Sequence, residues 1–409
     1  MTRVCVLLVA LAVPAAAAEQ TSWSSAVDDV RESARVHAGP FYATPTLQVK
    51  NVGVDGNVFN AAGDPRSDFT FTVAPKADLW VPVARRALVQ AAVATDLVWY
   101  ATYSAERSID PQLNLRGELY LQRLMLFGEG AYLNTRQRPN HEIDLRSRHL
   151  EDGLTAGVGL RLTPKFSIEV AGRQTRTRYD ADATFDGTSL QRTLNRDSEE
   201  LEITGRHRLT SLTSIGVRGD IVHDTFMYSP LRDSRSYRVM PGVEFKPRAL
   251  VNGSAYVGYR KFTPTAPRAV QQFSGLVADL GLSYTLLGAT TFGVSYRRDL
   301  TYSYEELQPF FVDGSVGASV RRAIGRRFDA LVSMDRHGYA YHDMTIGDQP
   351  VADPPRIDVT WNYAASIGYR INRNGHVGFG VAYWQRESTT ESFRDYDNLR
   401  IGTSVTFGL

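Results

Sequence analysis

Apolar and polar residues alternate along most of this chain. Phe69, Phe71, Val73, Ala77, Leu79 and Val81 share one parity, while Thr70, Thr72, Lys76 and Asp78 share the other. The same period recurs over 275–286 and 357–370. A period of two predicts β-strands. Strands with one apolar face and one face of Gly, Ser, Thr, Arg and Asp are typical of a wall between lipid and water.

Counting these segments predicts about 18 strands of about 10 to 16 residues, long enough to cross an outer membrane at a tilt, with 16 strands as the alternative. Their approximate centres are Leu47, Val73, Val93, Leu115, Gly130, Val158, Ile168, Ile203, Val217, Val243, Ala255, Leu280, Val294, Val316, Val332, Tyr363, Phe379 and Val405.

The connections alternate in length. Short ones lie at 83–85, 163–165, 246–248, 287–289, 325–326 and 372–375, and longer polar ones at 51–67, 136–148, 179–196 and 342–355. Bacterial barrels have short periplasmic turns and long external loops, so an even strand number places both chain ends in the periplasm. We therefore predict an all-β fold, a single transmembrane antiparallel β-barrel over residues 41–409.

Aromatic residues near strand ends fit an interfacial girdle. We expect this role for Trp99, Tyr100, Tyr103, Tyr302, Tyr304, Tyr341, Tyr383 and Trp384. A soluble β-propeller or a large sandwich is the competing fold, but no four-strand repeat is visible in the sequence.

The two ends of the chain carry their own signals. Arg3, the apolar run 4–13 and the small residues 15–18 predict a signal peptide over 1–18. Residues 19–40 form a periplasmic or lumenal segment, in which Trp23, Val27, Val30 and Ala34 follow helical spacing; a short helix and a frayed tail both remain open. At the other end, residues 401–409 alternate as expected for the closing strand that the barrel-assembly machinery recognises.

Charge and cysteine content exclude several functions. The formal net charge is +2, which gives no reason to expect nucleic acid as a partner. The single cysteine, Cys5, lies in the predicted signal peptide, so the mature chain has no disulfide or zinc-thiolate site. The eight histidines form no metal or nucleophile motif, and we expect no cofactor, no metal and no enzymatic activity. His141–Glu142 and His342–Asp343 are expected to be solvated loop residues, and His223 with Asp224 is the pair hardest to dismiss as catalytic.

The polar face supplies candidate pore-lining residues. Arginine dominates its basic side chains, and the planar guanidinium suits bonding to carboxylates on neighbouring strands or to anionic and sugar-like cargo. The candidates are Arg116, Arg161, Arg173, Arg206, Arg218, Arg260, Arg297, Arg321, Asp96, Glu118, Asp279, Asp313, Trp80 and Tyr256. Ion pairs that stiffen the wall, and aromatic anchors at the interface, are the alternative roles for these side chains.

One stretch of sequence resembles a known family. Gly56-Asn57-Val58-Phe59, Ser67-Asp68-Phe69, Ala74-Pro75, Asp96 and Tyr103 make residues 45–108 similar to the opening of the β-barrel porin 2 family of outer-membrane proteins. The resemblance covers about a sixth of the chain and includes no residue with a chemical role. It implies a porin-like barrel and a link to exopolysaccharide export.

These observations lead to an outer-membrane pore or export channel for polysaccharide or other polar solutes. A structural or adhesion barrel with a closed lumen and a general diffusion porin are the alternatives. The partners expected are outer-membrane lipid and lipopolysaccharide, the barrel-assembly machinery and periplasmic polysaccharide-export components.

Overall fold

A computed structural model describes residues 34–84, 86–247, 249–346, 349–350, 356–390 and 392–408. The predicted signal peptide and most of the predicted N-terminal helix lie outside these residues. Val36–Ala38 is a short strand that pairs with the start of the first long strand, with Ala38 opposite Phe41. The helical spacing therefore does not continue as a helix into this part of the chain.

The architecture is a ring of eighteen long antiparallel strands. In chain order they are β1 Phe41–Asp55, β2 Asp68–Val83, β3 Ala87–Tyr100, β4 Ser108–Tyr120, β5 Leu124–Thr135, β6 His149–Arg161, β7 Phe166–Tyr179, β8 Arg196–Arg208, β9 Thr213–Phe226, β10 Ser234–Phe245, β11 Val251–Pro264, β12 Phe273–Leu286, β13 Thr290–Tyr302, β14 Phe310–Ile324, β15 Phe328–His342, β16 Ile357–Arg370, β17 Gly375–Ser388 and β18 Tyr396–Gly408.

The ring closes between the first and last strands. Each strand pairs with its neighbours in sequence, and β18 pairs with β1 through Thr46 opposite Gly408 and Asp55 opposite Arg400. One irregularity in register, between Val49 and Val52, interrupts this seam. All eighteen predicted strand centres lie inside the observed strands, so the prediction of an 18-strand barrel is confirmed and the 16-strand alternative is wrong.

The two faces of the wall differ as the sequence period requires, because successive side chains of a strand point to opposite faces. The outer face exposes large apolar side chains such as Leu154, Leu276 and Val332, which are 66%, 65% and 60% exposed. The inner face carries most of the charged side chains of the strands, and ion pairs join many of them across neighbouring strands or across one intervening strand.

The two ends of the barrel differ in the length of their connections. Eight turns of three to five residues lie at one end, and nine loops of seven to sixteen residues lie at the other. We number the long loops L1 to L9 in chain order. Helices among the described residues are short, such as Leu190–Leu194 in L4, and none is long and apolar enough to span a membrane.

The hairpin formed by β13 and β14 turns inward at its long-loop end. Pairing between β12 and β13 stops at Ala278 opposite Arg298, although both strands continue beyond this point. Leu300 and Phe310 then pack against Phe262 and Phe273 in a buried cluster. Because β13 has separated from β12 here, the end of this hairpin leaves the wall and fills part of the interior.

This inward turn corrects part of the predicted aromatic girdle. Tyr304 is 0% exposed and Tyr341 is 4% exposed, and both pack inside the loop end of the barrel. Tyr302 lies against Phe226 and Phe262 in the same interior region. The strand-end position of these tyrosines is as predicted, but Tyr302 and Tyr304 lie inward because the hairpin leaves the wall. Tyr341 lies inward because it shares the inner-face parity of His337 and Tyr339 on β15.

Candidate functional site: the lumen and its inserted loop

Loop L3, residues 136–148 between β5 and β6, crosses the interior of the barrel. The His141 ring stacks on the ring of His337 in β15, with centroids 4.0 Å apart. Arg386 of β17 donates hydrogen bonds to the Glu142 carbonyl oxygen and to the Asp144 carboxylate, both at 2.9 Å. Strands β5 and β6 are about half the ring away from β15 to β17, so L3 reaches the opposite wall.

The contact with the opposite wall is a buried charge network. Asp358 of β16 accepts hydrogen bonds from Arg386 at 2.7 Å and from Arg356 at 2.5 Å. Asp358 is 0% exposed and Arg386 is 1% exposed. Charges removed from water are costly unless they are paired and hydrogen-bonded. Two arginines and the carboxylates of Asp358 and Asp144 meet that requirement here, so this network fixes the tip of L3 in place.

Two titratable residues at the tip of L3 are buried. Glu142 is 0% exposed, and its carboxyl group accepts hydrogen bonds from the Ser303 hydroxyl at 2.5 Å and the Tyr304 N–H at 3.4 Å. Burial raises the pKa of Glu142 to about 7. Burial, and then the charges of His337 and Arg386, lower the pKa of His141 to about 3. Both groups are therefore favoured in their neutral forms when L3 is inserted.

Loop L7, residues 303–309, joins the other loops to this network. The Glu305 carboxylate accepts from Arg394 of L9 at 2.6 Å and from Arg356 of L8 at 3.2 Å. Arg232 of L5 donates to the Ser303 carbonyl oxygen at 2.5 Å.

An apolar cluster completes the cover over the long-loop end. Ile143 of L3, Leu190 and Leu194 of the L4 helix, Phe185 and Tyr304 are all buried in it. Since these residues come from three different loops, the loops form one packed layer over the lumen and do not extend separately into solvent.

Space remains in the lumen beside L3. One cavity of about 280 Å³ lies between L3 and strands β15 to β18 and β1 to β3, and includes Asn60, Asn140 and Trp384 in its lining. A second of about 250 Å³ lies along β1 to β6. Lys50, Asp96, Gln137 and Arg138 line both cavities.

The Asp96 carboxylate lies where the two cavities meet. It accepts hydrogen bonds from Lys50 at 2.8 Å and from Gln137 of L3 at 3.2 Å. A solute that moves between the two cavities must therefore pass an ion pair to which L3 is attached.

Most of the predicted pore-lining charges point inward and are paired. Arg116 bonds to Glu118 and Glu129, and Arg173 bonds to Glu200. Glu244 forms ion pairs with both Arg206 and Arg218, and Asp299 forms one with Arg260. Asp313 contacts His337, and Asp279 lies opposite Arg297 in the strand register. Arg161 and Arg321 lie near the short-turn ends of β6 and β14 and are half-buried.

The two predicted aromatic candidates differ in their accessibility. Tyr256 is 0% exposed, lies under the Arg218 guanidinium and bonds to Glu244. Trp80 packs against an inner cluster that contains Leu88 and Phe127. In this conformation Tyr256 offers no free face to a sugar, whereas Trp80 is half-buried.

The sequence alone did not reveal that the loops are inserted. The expectation that His141–Glu142 and His342–Asp343 are solvated is wrong, since Glu142 is 0% and Asp343 is 5% exposed. Ile143 and Leu145 within the arginine-rich L3 were the available signal, because apolar residues are unusual at the centre of a solvated loop. Among the described residues no cluster of three or more metal-ligating side chains occurs.

His223 and Asp224 do not form a catalytic pair. His223 lies between Glu199 and Arg235 in the register, on the outer face of the barrel. The Asp224 carboxylate accepts from the Tyr302 hydroxyl on the inner face at 2.7 Å. Neighbouring residues of one strand point to opposite faces, which separates the two side chains.

A closed barrel of this size, apolar outside and charged inside, defines a porin-like transmembrane protein. The chain belongs to the family described as "Putative beta-barrel porin 2", whose model matches residues 32–408. The protein is therefore located in the bacterial outer membrane, with its short turns in the periplasm and its long loops outside. No curated protein matches the sequence.

Solved structures with a similar fold are outer-membrane proteins. A BenF-like porin from Pseudomonas fluorescens Pf-5 has a TM-score of 0.51 at 10% identity, over 90% of this chain and 99% of that one. OpdK from Pseudomonas aeruginosa has a TM-score of 0.49 at 10% identity, over 90% of this chain and 98% of that one. OccAB3 from Acinetobacter baumannii has a TM-score of 0.48 at 11% identity, over 90% of this chain and 99% of that one. At these identities the likeness concerns the fold alone.

Proposed function

We propose that this protein is a gated, non-enzymatic channel for polar solutes, and that L3 is its gate. The observation that carries the proposal is the bond between Arg386 of the wall and Asp144 of L3 across a lumen lined with charged side chains. An 18-strand barrel encloses an aqueous channel unless loops fill it. Here one loop and its partners fill the outer part, so release of that loop opens the path.

The path runs through the two cavities that meet at Asp96. Polar and charged side chains replace part of the hydration of a solute, while pairing across strands keeps the wall charges from binding it too tightly. Conduction requires binding weak enough for the solute to leave. The paired arginines of the lumen meet this requirement better than isolated arginines would.

Planar-bilayer conductance of the purified protein tests the gate. We expect rare or small openings for the native chain and frequent, larger openings when residues 139–147 are replaced by a Gly/Ser linker of equal length. A matched control replaces part of L4, residues 180–183, with the same kind of linker. Absence of channel events in both the native and the L3-replaced protein would contradict the proposal.

For cargo we propose carbohydrate, including exported polysaccharide. Asn60, Gln137 and Asn140 supply amides, and Trp384 and Tyr396 supply rings, around the cavity beside L3. Amides bond to hydroxyl groups and rings pack against the apolar faces of sugars. Oligosaccharides should block the current of the L3-replaced channel, which lacks Asn140 but keeps Asn60, Gln137 and Trp384, in a way that depends on Trp384. Equal block of the Trp384→Ala variant would count against this cargo.

A structural barrel with a closed lumen is the second candidate, because the loop layer over the long-loop end is continuous. The same conductance measurement decides between the two, since a structural barrel stays closed when L3 is replaced. A general diffusion porin would conduct without block by oligosaccharides. Lipopolysaccharide, the barrel-assembly machinery and periplasmic export components remain predicted partners.

A further inference from the structure

The periplasmic rim of the barrel is basic. Its exposed charged residues include Arg86, Arg123, Lys165, Arg326, Arg327 and Arg373. The sequence of the eight turns contains no aspartate or glutamate. The long loops differ, since eight of the nine contain at least one acidic residue.

These basic residues form an arc around the mouth that runs from β14 through β18 and β1 to β7, which is twelve of the eighteen strands. They lie on the turns between β2 and β3, β4 and β5, β6 and β7, β14 and β15, and β16 and β17. Like charges on such an arc reinforce one another at the centre of the opening, where a low-dielectric wall focuses the field. The potential extends about 8 to 10 Å into solution at physiological salt.

The positive charge continues from the rim into the lumen. Arg161, Arg208 and Arg370 end their strands at the periplasmic side with inward parity. Acidic residues at this depth are in contact with bases, as Asp329 is with His376 and Glu244 is with Arg206. The mouth therefore keeps a positive balance along the route toward the cavities.

We propose that the periplasmic mouth is a collecting site for polyanionic cargo, such as an acidic polysaccharide that enters from the periplasm. This rests on the proposed channel function and adds the charge of the cargo and its direction of entry. Continuity of the charge into the lumen favours a cargo over a headgroup of the surrounding lipid, because lipid contacts only the outside of the rim.

The test measures charge selectivity and one-sided block in planar bilayers. Asp182→Cys, labelled with a bulky thiol reagent, reports which chamber the external loops face. The probes are polygalacturonate oligomers and neutral dextran of similar length. The test variant combines Arg123→Glu, Arg326→Glu and Arg373→Glu, and the matched control combines Arg66→Glu, Arg192→Glu and Arg268→Glu in external loops. All are measured in the L3-replaced background as well as in the native chain.

Polygalacturonate should block from the periplasmic chamber at concentrations at which dextran does not, and more weakly at high salt. The turn variant should lose this block and reduce the anion-to-cation permeability ratio by about twofold or more, whereas the loop control should change neither. Equal block from both chambers, or block that survives in the turn variant, overturns the inference.

The remaining outcomes separate this inference from the proposed function. Conductance with no response to the turn variant contradicts only the collecting site. Absence of conductance in every background contradicts the channel itself. If the turn variant changes only insertion into vesicles that contain anionic phospholipid, the rim binds lipid headgroups and the cargo proposal is wrong.

Discussion

Arg386 of the barrel wall donates a hydrogen bond of 2.9 Å to Asp144, a residue of loop L3 that starts from the opposite side of the barrel. The same guanidinium also bonds to Asp358 of the neighbouring strand. The wall and the loop thus share one buried cation. Any change that removes this cation leaves two carboxylates without it and weakens the attachment of the L3 tip to the wall.

Substitution of Arg386 by glutamine should open the channel. Removal of one partner of a buried ion pair costs about 3 to 5 kcal/mol, and here the cost falls on the inserted state of L3. We expect a higher open probability in planar bilayers and faster proteolysis within residues 136–148.

The control is Arg336→Gln on β15, whose register partner Trp361 lies on the outer face. It should behave like the native protein. An unchanged open probability in Arg386→Gln, with the barrel intact by its heat-dependent gel mobility, would show that this contact does not hold L3.

The gate should respond to pH through two opposed groups. The pKa of Glu142 is raised from 4.5 to about 7 when L3 is inserted, so its preference for the inserted state is complete below pH 4.5 and lost as pH rises through 7. The pKa of His141 is lowered from 6.5 to about 3, so its preference is complete above pH 6.5 and declines as pH falls toward 3. Between pH 4.5 and 6.5 the loss of one contribution with rising pH nearly cancels the gain of the other.

Single substitutions should separate these contributions. Glu142→Gln leaves the histidine contribution, so the channel should open as the pH falls from 6.5 to 4.5. His141→Gln leaves the carboxyl contribution, so the channel should open as the pH rises from 4.5 to 7. The open probability of the native channel should be nearly constant between pH 4.5 and 6.5. Open probability measured from pH 4.5 to 8 tests this, and three identical profiles would refute it.

The fold could be predicted almost completely from the sequence, because a barrel wall is a repeated local pattern. Residues such as Val73 and Leu280 lie in strands whose alternation follows directly from lipid on one face and water on the other. The alternation of short turns with long loops and the even number of strands follow from the same membrane environment. None of these conclusions requires knowledge of which distant residues meet.

The gate could not be predicted, because it depends on contacts between residues far apart in sequence. Glu142 and Ser303 are separated by 161 positions, and Asp144 and Arg386 by 242. Each of these residues alone is compatible with a solvated loop or a wall ion pair. Their roles arise from the way in which L3, L7 and β17 meet in the lumen.

Inner-face glycines should differ in their tolerance of a side chain. A Cβ added at Gly242 would overlap the Tyr256 ring and the Ala255 carbonyl oxygen, whereas a Cβ added at Gly281 meets nothing within 4 Å. Gly242→Ala should therefore destabilise the barrel by about 1 to 3 kcal/mol, as overpacking typically does. Gly281→Ala is the matched control. Urea unfolding in lipid vesicles, followed by tryptophan fluorescence, measures both; equal midpoints would contradict the packing around Tyr256.

Asp96 should control the charge preference of the path. Its carboxylate balances Lys50 where the two cavities meet and also holds Gln137 of L3. Asp96→Asn keeps the size and a hydrogen-bond acceptor but leaves Lys50 without its counter-charge, so the channel should become more selective for anions, with a larger effect at low salt. Asp64→Asn, in the exposed part of L1, removes the same charge away from the path and should not alter selectivity. Reversal potentials in a salt gradient, measured in the L3-replaced background, separate the two. A shift toward cations in Asp96→Asn, or equal shifts in both variants, would place the route of the solute away from this ion pair.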